Sequence, residues 1–198
     1  MYNLVRFVIA FFLVLLFRWR VTGAENIPVS GGVIIASNHV SNFDPFVVGT
    51  AVARKLHFMA KEELFVNPVM RVFIQWLGAF PVRRGASDRT AIRTAINLLE
   101  NGNMVGLFPE GTRSKNGQLG QAEPGLAMIA AKAGATIIPT AVIGTNKVFR
   151  DGSLLPQFRV YFGEPIVVKK DKASKEDLEK ISNTMMQEIR TLLEKYSK

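Results

Sequence analysis

The stretch VIIASNHVSNFDPFVVG, residues 33–49, places a buried strand, a polar loop and a helix start in immediate succession. Its first five residues are apolar or small, with three β-branched side chains, and they follow two glycines, which is typical of a buried strand. Asp44 and Pro45 suit a helix start, with the aspartate as N-cap and the proline in the first turn. A strand followed by a short loop and a helix predicts an α/β domain.

The rest of the chain continues this alternation of strands and helices. Apolar runs predict strands over residues 56–60, 104–108, 136–143 and 158–162, and helical spacing predicts helices over 68–77, 87–100, 124–133 and 174–196. The last of these is amphipathic and opens with a capping-box pattern from Ser174 to Asp177. Neither an internal repeat nor a dividing linker is present. We therefore predict one α/β domain with a mixed, mostly parallel sheet flanked by helices.

Residues 1–20 differ in character from the remainder of the chain. Their uninterrupted apolar run, residues 7–17, would be about 16 Å long as a helix, against about 30 Å for the hydrocarbon core of a bilayer. Arg18, Trp19 and Arg20 follow the run, whereas a signal peptide carries its basic residues in front of it. We expect a shallow anchor, peripheral or monotopic, on the cytoplasmic face of the cell membrane, with residues 21–198 as the main folded domain. A buried core helix is the alternative.

The composition limits the classes of partner and of chemistry. A net charge of +9 and a pI near 10.0 predict attraction to polyanions, namely nucleic acid, an anionic membrane surface or phosphorylated small molecules. The anchor and the lack of a nucleic-acid motif argue against nucleic acid. The chain has no cysteine, which excludes a disulfide scaffold, a cysteine-based zinc site and a thioester on an enzyme thiol.

Of the two histidines, His39 lies in the polar loop, and Asp44 follows it five positions later. On one regular helix these two residues would point about 140° apart, so they can meet only if the chain between them turns. An imidazole whose other nitrogen donates to a carboxylate is a better base for a hydroxyl proton. The alternative is that Asp44 only caps its helix and His39 is a surface residue. His57 lies in an apolar run, which favours a structural role.

Other catalytic templates fit the sequence less well. The motifs of serine hydrolases, P-loop enzymes, dinucleotide-binding proteins and zincins are absent, so we expect neither a cofactor nor a metal. Two segments at predicted strand ends, GAFPVRR (78–84) and FPEGTRS (108–114), carry arginines instead. Arginine binds phosphate oxygens bidentately, and ligands of α/β sheets gather at the carboxyl ends of strands. We expect these loops to share an anion site.

These segments carry a resemblance to a known family. NHVSNFD (38–44) resembles the NHxSxxD block of the glycerolipid acyltransferases, whose best-known members are the 1-acylglycerol-3-phosphate (lysophosphatidic acid) acyltransferases. GAFPVRR, FPEGTRS and IIPTAV (137–142) resemble the second, third and fourth blocks in the family's order and spacing. The blocks lie within about residues 33–142, and the resemblance runs from about residue 20 to 165.

The resemblance implies roles for individual residues. His39 corresponds to the catalytic base and Asp44 to its orienting carboxylate, while Pro139 falls in the fourth block, which is associated with donor binding and sheet packing. The residues implied in acceptor binding are Lys61, Arg84, Glu110, Gly111, Thr112 and Arg113.

The resemblance also implies a reaction. An acyl chain would pass from acyl-CoA or an acyl carrier protein thioester to the free sn-2 hydroxyl of lysophosphatidic acid, forming phosphatidic acid without an acyl-enzyme. Two alternatives stay open. The acceptor could be another lysolipid or glycerol 3-phosphate, or the chain could be a catalytically silent peripheral lipid-binding protein.

Overall fold

The computed structural model describes residues 2–83, 88–114, 116–148, 154–170 and 173–197. The helices are α1 (Tyr2–Phe17), α2 (Asp44–Ala51), α3 (Pro68–Trp76), α4 (Arg89–Glu100), α5 (Gly125–Ala133) and α6 (Lys175–Tyr196). The strands are β1 (Arg20–Thr22), β2 (Val33–Ser37), β3 (Leu56–Lys61), β4 (Phe80–Val82), β5 (Met104–Leu107), β6 (Thr136–Ile143) and β7 (Arg159–Phe162).

These strands form one sheet in the order β1-β7-β6-β2-β5-β3-β4. All neighbouring pairs are parallel except β6 and β7, which run antiparallel. The predicted α/β domain with a mixed, mostly parallel sheet is therefore confirmed. Because β2, β3, β4, β5 and β6 point the same way, their carboxyl ends lie along one edge of the sheet.

The central strand β2 is buried on both faces. Ile34 and Ala36 pack into the layer formed with α4, α5 and α6, whereas Val33 and Ile35 pack into the layer formed with α1 and α2. A strand covered by helices on both faces needs apolar side chains in both directions. This explains why residues 33–36 are a continuous apolar run rather than an alternating one.

Some helices and strands begin where the local sequence pattern predicted, and others do not. The capping box of α6 is confirmed, with Ser174 and Asp177 bonded reciprocally. Helix α4 begins at Arg89 rather than at residue 87, because Asp88 is its N-cap and accepts the amides of Thr90 and Ala91. The bounds of the edge strands β1 and β4 were not predicted, since three residues are too few to show an alternating pattern.

Asp44 does not cap α2, and this prediction was wrong. The N-cap position belongs to Phe43, whose side chain accepts no capping bond, and Asp44 is the first helical residue. Its carboxylate turns back into the preceding loop, where the amides of Val40 and Ser41 donate to it. The Asp44 carboxylate therefore binds these loop amides and His39 instead of the first amides of α2. Pro45 occupies the first turn of α2, as predicted.

Helix α1 packs on the body through one face only. Leu13 is buried, the Arg6 Nε atom donates to the Thr50 carbonyl at 3.0 Å, and the Phe17 ring stacks on Phe158 at 4.1 Å. The opposite face, which carries Phe7 and Phe11, is exposed. Among the described residues, none of the helices combines the length and the apolarity needed to cross a membrane.

Candidate active site

The carboxyl ends of the parallel strands bring the candidate residues to one edge of the sheet. His39 follows β2, Lys61 ends β3, Glu110 follows β5 and Thr145 follows β6. Strands β2 and β6 are linked by side-chain hydrogen bonds in addition to their backbone pairing. The Asn38 amide group donates to the Val142 carbonyl at 3.0 Å and accepts the Val142 amide at 2.8 Å, which holds the loop before His39 against β6.

His39 and Asp44 form a buried pair. The Nδ1 atom of His39 lies 2.8 Å from Oδ2 of Asp44, and the two residues are 6% and 0% exposed. The same Oδ2 accepts the amides of Val40 and Ser41 at 2.7 Å, so the loop wraps around the carboxylate. The chain between the two residues therefore turns, which is the condition for their contact. With Nδ1 donating to the carboxylate, Nε2 is the nitrogen that can accept a proton.

The imidazole of His39 is also fixed by stacking. Its ring lies 3.9 Å from the ring of Phe108 at an angle of 14°, and Phe108 stacks in turn on Phe58 at 5.9 Å. Sequence reasoning missed this role for Phe108, although the residue opens the FPEGTRS segment. The orientation of the base is therefore set by a carboxylate at one ring nitrogen and by an aromatic face.

Glu110 connects the loop after β5 to the loop after β2. Its Oε1 atom accepts the amide of His39 at 3.0 Å and its Oε2 atom accepts the amide of Gly120 at 2.9 Å. The amide of Ser114 donates to the His39 carbonyl at 2.8 Å, which adds a second link. Gly111 supports this turn with a φ of +65°, which favours glycine. In this structure the Glu110 carboxylate binds main-chain amides.

Positive and polar side chains share a cavity with His39. Lys61, Thr112 and Arg113 line it, and Nη1 of Arg113 donates to Oδ1 of Asn42 at 2.7 Å. Arg84 lies outside the described residues, so its expected position is not described. Its neighbour Arg83 is exposed and forms an ion pair with Glu62 at 2.8 Å.

The cavity is about 800 Å³ in volume and its walls are mainly apolar. This size lies within the range of pockets that enclose small molecules. Helix α1 contributes to the wall, which sequence reasoning did not predict. Apolar lining residues include Ile9, Leu56, Phe58, Met59, Leu64, Met70, Ile74 and Leu77.

The surroundings of the second histidine, His57, indicate a structural role. The Nδ1 atom of His57 lies 3.0 Å from the carbonyl oxygen of Gly78, and burial holds the pKa of His57 below its ordinary value. His57 does not line the cavity. Within the described ranges, no group of three or more acidic or histidine side chains could hold a metal ion.

Comparisons of the sequence with known proteins find related acyltransferases. A profile of the Acyltransferase family matches residues 18–143. The 1-acyl-sn-glycerol-3-phosphate acyltransferase of Bacillus subtilis is 32% identical over 180 residues, which cover 87% of this chain and 87% of that protein. The chloroplastic enzyme LPAT1 of Arabidopsis thaliana, of the same description, is 32% identical over 140 residues, 69% of this chain and 39% of that protein.

A solved structure is similar over almost the whole chain. The crystal structure of the 1-acyl-sn-glycerophosphate (LPA) acyltransferase PlsC from Thermotoga maritima matches with a TM-score of 0.74 and 27% identity, covering 96% of this chain and 79% of that one. The fold therefore agrees with that of the same group of enzymes. The chain belongs to the glycerolipid acyltransferase family and is an acyltransferase.

Proposed function

We propose that this enzyme transfers an acyl chain from an acyl thioester to the sn-2 hydroxyl of 1-acylglycerol 3-phosphate, forming phosphatidic acid. The observation that carries the proposal is one cavity that joins a buried His39–Asp44 pair, the cations Lys61 and Arg113, and apolar walls. Its chemistry matches an acceptor that carries a hydroxyl, a phosphate and an acyl chain. The descriptions of the Bacillus subtilis and Arabidopsis thaliana relatives support the same acceptor.

The chemical step follows from the orientation of His39. Its Nε2 atom removes the proton of the acceptor hydroxyl, and the alkoxide oxygen attacks the thioester carbonyl carbon. The tetrahedral intermediate collapses, the carbon–sulfur bond breaks, and the leaving thiolate takes up the proton that the imidazolium carries. The buried Asp44 carboxylate holds the ring in position and stabilises its positive charge during this cycle.

The cations on the cavity wall would fix the acceptor phosphate. Arg113 lies next to Ser114, whose amide is bonded to the carbonyl of His39, so its position is coupled to that of the base. Charge-assisted hydrogen bonds to phosphate are stronger than neutral ones. Holding the phosphate restricts the hydroxyl to the vicinity of Nε2 and makes attack effectively unimolecular. Arg84 joins this group on the strength of the family resemblance.

We further propose that the enzyme works at the cytoplasmic face of the cell membrane, attached by α1. The outer face of α1 carries large apolar side chains in water, which marks a surface for a membrane or a partner. Arg18 and Arg20 follow this face and suit anionic headgroups. Helix α3 and the turn before it add the exposed side chains Leu64, Val66, Val69, Met70, Val72 and Phe73.

The test is an acyl-transfer assay with the purified full chain in detergent. Acyl-CoA and acyl carrier protein thioesters are each supplied with lysophosphatidic acid, and both free thiol and phosphatidic acid are measured. We expect thiol release that depends on lysophosphatidic acid and matches phosphatidic acid formation with at least one donor. A faster reaction with glycerol 3-phosphate or lysophosphatidylcholine would replace the proposed acceptor. Lipid binding without any thiol release would contradict the proposal and support a silent lipid-binding protein.

A further inference from the structure

The two carboxylate oxygens of Asp44 have different partners. Oδ2 accepts three hydrogen bonds from the loop before α2, including the one from His39. Oδ1 faces a distant part of the chain, where the hydroxyl of Thr145 donates to it at 2.6 Å. Among the described residues, this hydroxyl is the one donor to Oδ1. Asp44 is 0% exposed and Thr145 is 1% exposed, so the bond is shielded from water.

The fold holds Thr145 firmly at this place. Thr145 lies just beyond the carboxyl end of β6 and begins a short 3₁₀ turn. Gly144 precedes it with a φ of +93°, and a Cβ there would collide with the carbonyl oxygen of Gln157, so the chain passes through a closely packed turn. The Asn38–Val142 bonds fix the end of β6 against the loop that carries His39.

We propose that Thr145 is a positioning residue, which acts on the base through Asp44. Leaving a buried carboxylate oxygen without the one donor that the described residues give it costs free energy, so the carboxylate would rotate or shift toward other donors. Such a shift would weaken the Oδ2 bond to Nδ1 of His39 and turn the imidazole away from the acceptor hydroxyl. Thr145 lies beyond residues 18–143, where the family profile matches. The inference rests on the proposed roles of His39 and Asp44.

The test compares Thr145→Val, which removes the hydroxyl at nearly constant volume, with Thr145→Ser, which keeps it. We expect Thr145→Val to lower kcat about tenfold to hundredfold, the range of one hydrogen bond to a charged group. Both KM values should stay within about twofold, because Thr145 does not line the cavity. Thr145→Ser should keep kcat within about threefold of the unchanged enzyme.

A matched control separates positioning from stability. Thr140→Val removes another buried hydroxyl of the same segment, which donates to the Ile138 carbonyl and not to Asp44. At a similar loss of Tm, the kcat of Thr145→Val should be at least about tenfold below that of Thr140→Val. If Thr145→Val does not fold, Thr145→Ser and Thr145→Ala make the same comparison, since they differ only in the hydroxyl.

The outcomes distinguish this inference from the proposed function. A folded Thr145→Val enzyme with unchanged kcat, or equal kcat in the serine and alanine variants, overturns the role of Thr145 while the acyl transfer of the unchanged enzyme still stands. Equal losses of kcat in Thr145→Ser and Thr145→Val also overturn it, because the hydroxyl would not matter. Failure of the unchanged enzyme to transfer acyl chains would instead overturn the proposed function.

Discussion

At the scale of single residues, Lys61 and Arg113 allow the most selective test, because we propose that they bind the acceptor phosphate. Lys61 and Arg113 reach the cavity from the ends of different strands, so their charges are placed independently of each other. Arg113 is exposed and bonded to Asn42, a neutral partner that leaves its positive charge available. Both features favour binding of an anion over a purely structural role.

We expect Arg113→Ala and Lys61→Ala to raise the KM for lysophosphatidic acid by up to about tenfold, with a smaller change in kcat. A hydrogen bond to a charged group contributes about 1.5–3 kcal/mol, and solvent exposure reduces this value. The same variants should affect monoacylglycerol, which lacks the phosphate, much less. Arg190→Ala, at an exposed arginine of α6, serves as the control. Equal effects on both acceptors would show that these cations do not bind phosphate.

Residues close together in the sequence were predictable, and distant partners were not. His39 and Asp44 are five positions apart in a polar loop, so their types and spacing suggested a possible pair, and the family resemblance implied its roles. The bond from Thr145 to Asp44 spans 101 positions and has no local pattern. Glu110 was expected to bind the acceptor, but its carboxylate contacts the amides of His39 and Gly120, which depend on how two loops fold together.

At the scale of elements, α1 has two faces with different surroundings. Tyr2, Arg6 and Ile9 line the cavity and Leu13 is buried, at spacings that follow the helix period. The other face exposes large apolar side chains, with Phe7 at 69% exposure. The packed face agrees with the alternative of a core helix, and the exposed face is the one to which the proposed membrane anchor applies. The sequence did not distinguish these two faces of α1, because both carry apolar side chains.

Because the two faces of α1 have different surroundings, we expect substitutions on the exposed face and on the cavity face to have different effects. The triple variant Phe7→Ser, Phe11→Ser, Leu15→Ser should weaken binding to anionic vesicles and slow acylation of acceptor in vesicles, because it removes apolar contacts with the bilayer. It should keep the rate on short-chain, soluble lysophosphatidic acid. Ile9→Ser, on the cavity face, should instead slow the reaction with the soluble acceptor and keep vesicle binding. Unchanged sedimentation of the triple variant with vesicles would contradict the membrane role of α1.

At the scale of the whole molecule, the site exists because five parallel strands end at one edge of the sheet. The alternation of strands and helices was sufficient to predict that arrangement, since parallel strands require crossover helices. The antiparallel strand β7 and the edge strand β1 could not be placed from sequence, because their pairing depends on neighbours far along the chain. The loops after β2, β5 and β6 meet only in the folded chain, and together they orient His39.

The most direct test of this account is the turnover of His39→Ala, measured beside His57→Gln with saturating thioester and lysophosphatidic acid. General-base catalysis contributes about 10²–10⁴-fold, so kcat of the folded His39→Ala enzyme should fall by that factor. His57→Gln should keep nearly full turnover, since His57 does not line the cavity. A folded His39→Ala enzyme with near-normal kcat would contradict the role of the His39–Asp44 pair and with it the proposed mechanism.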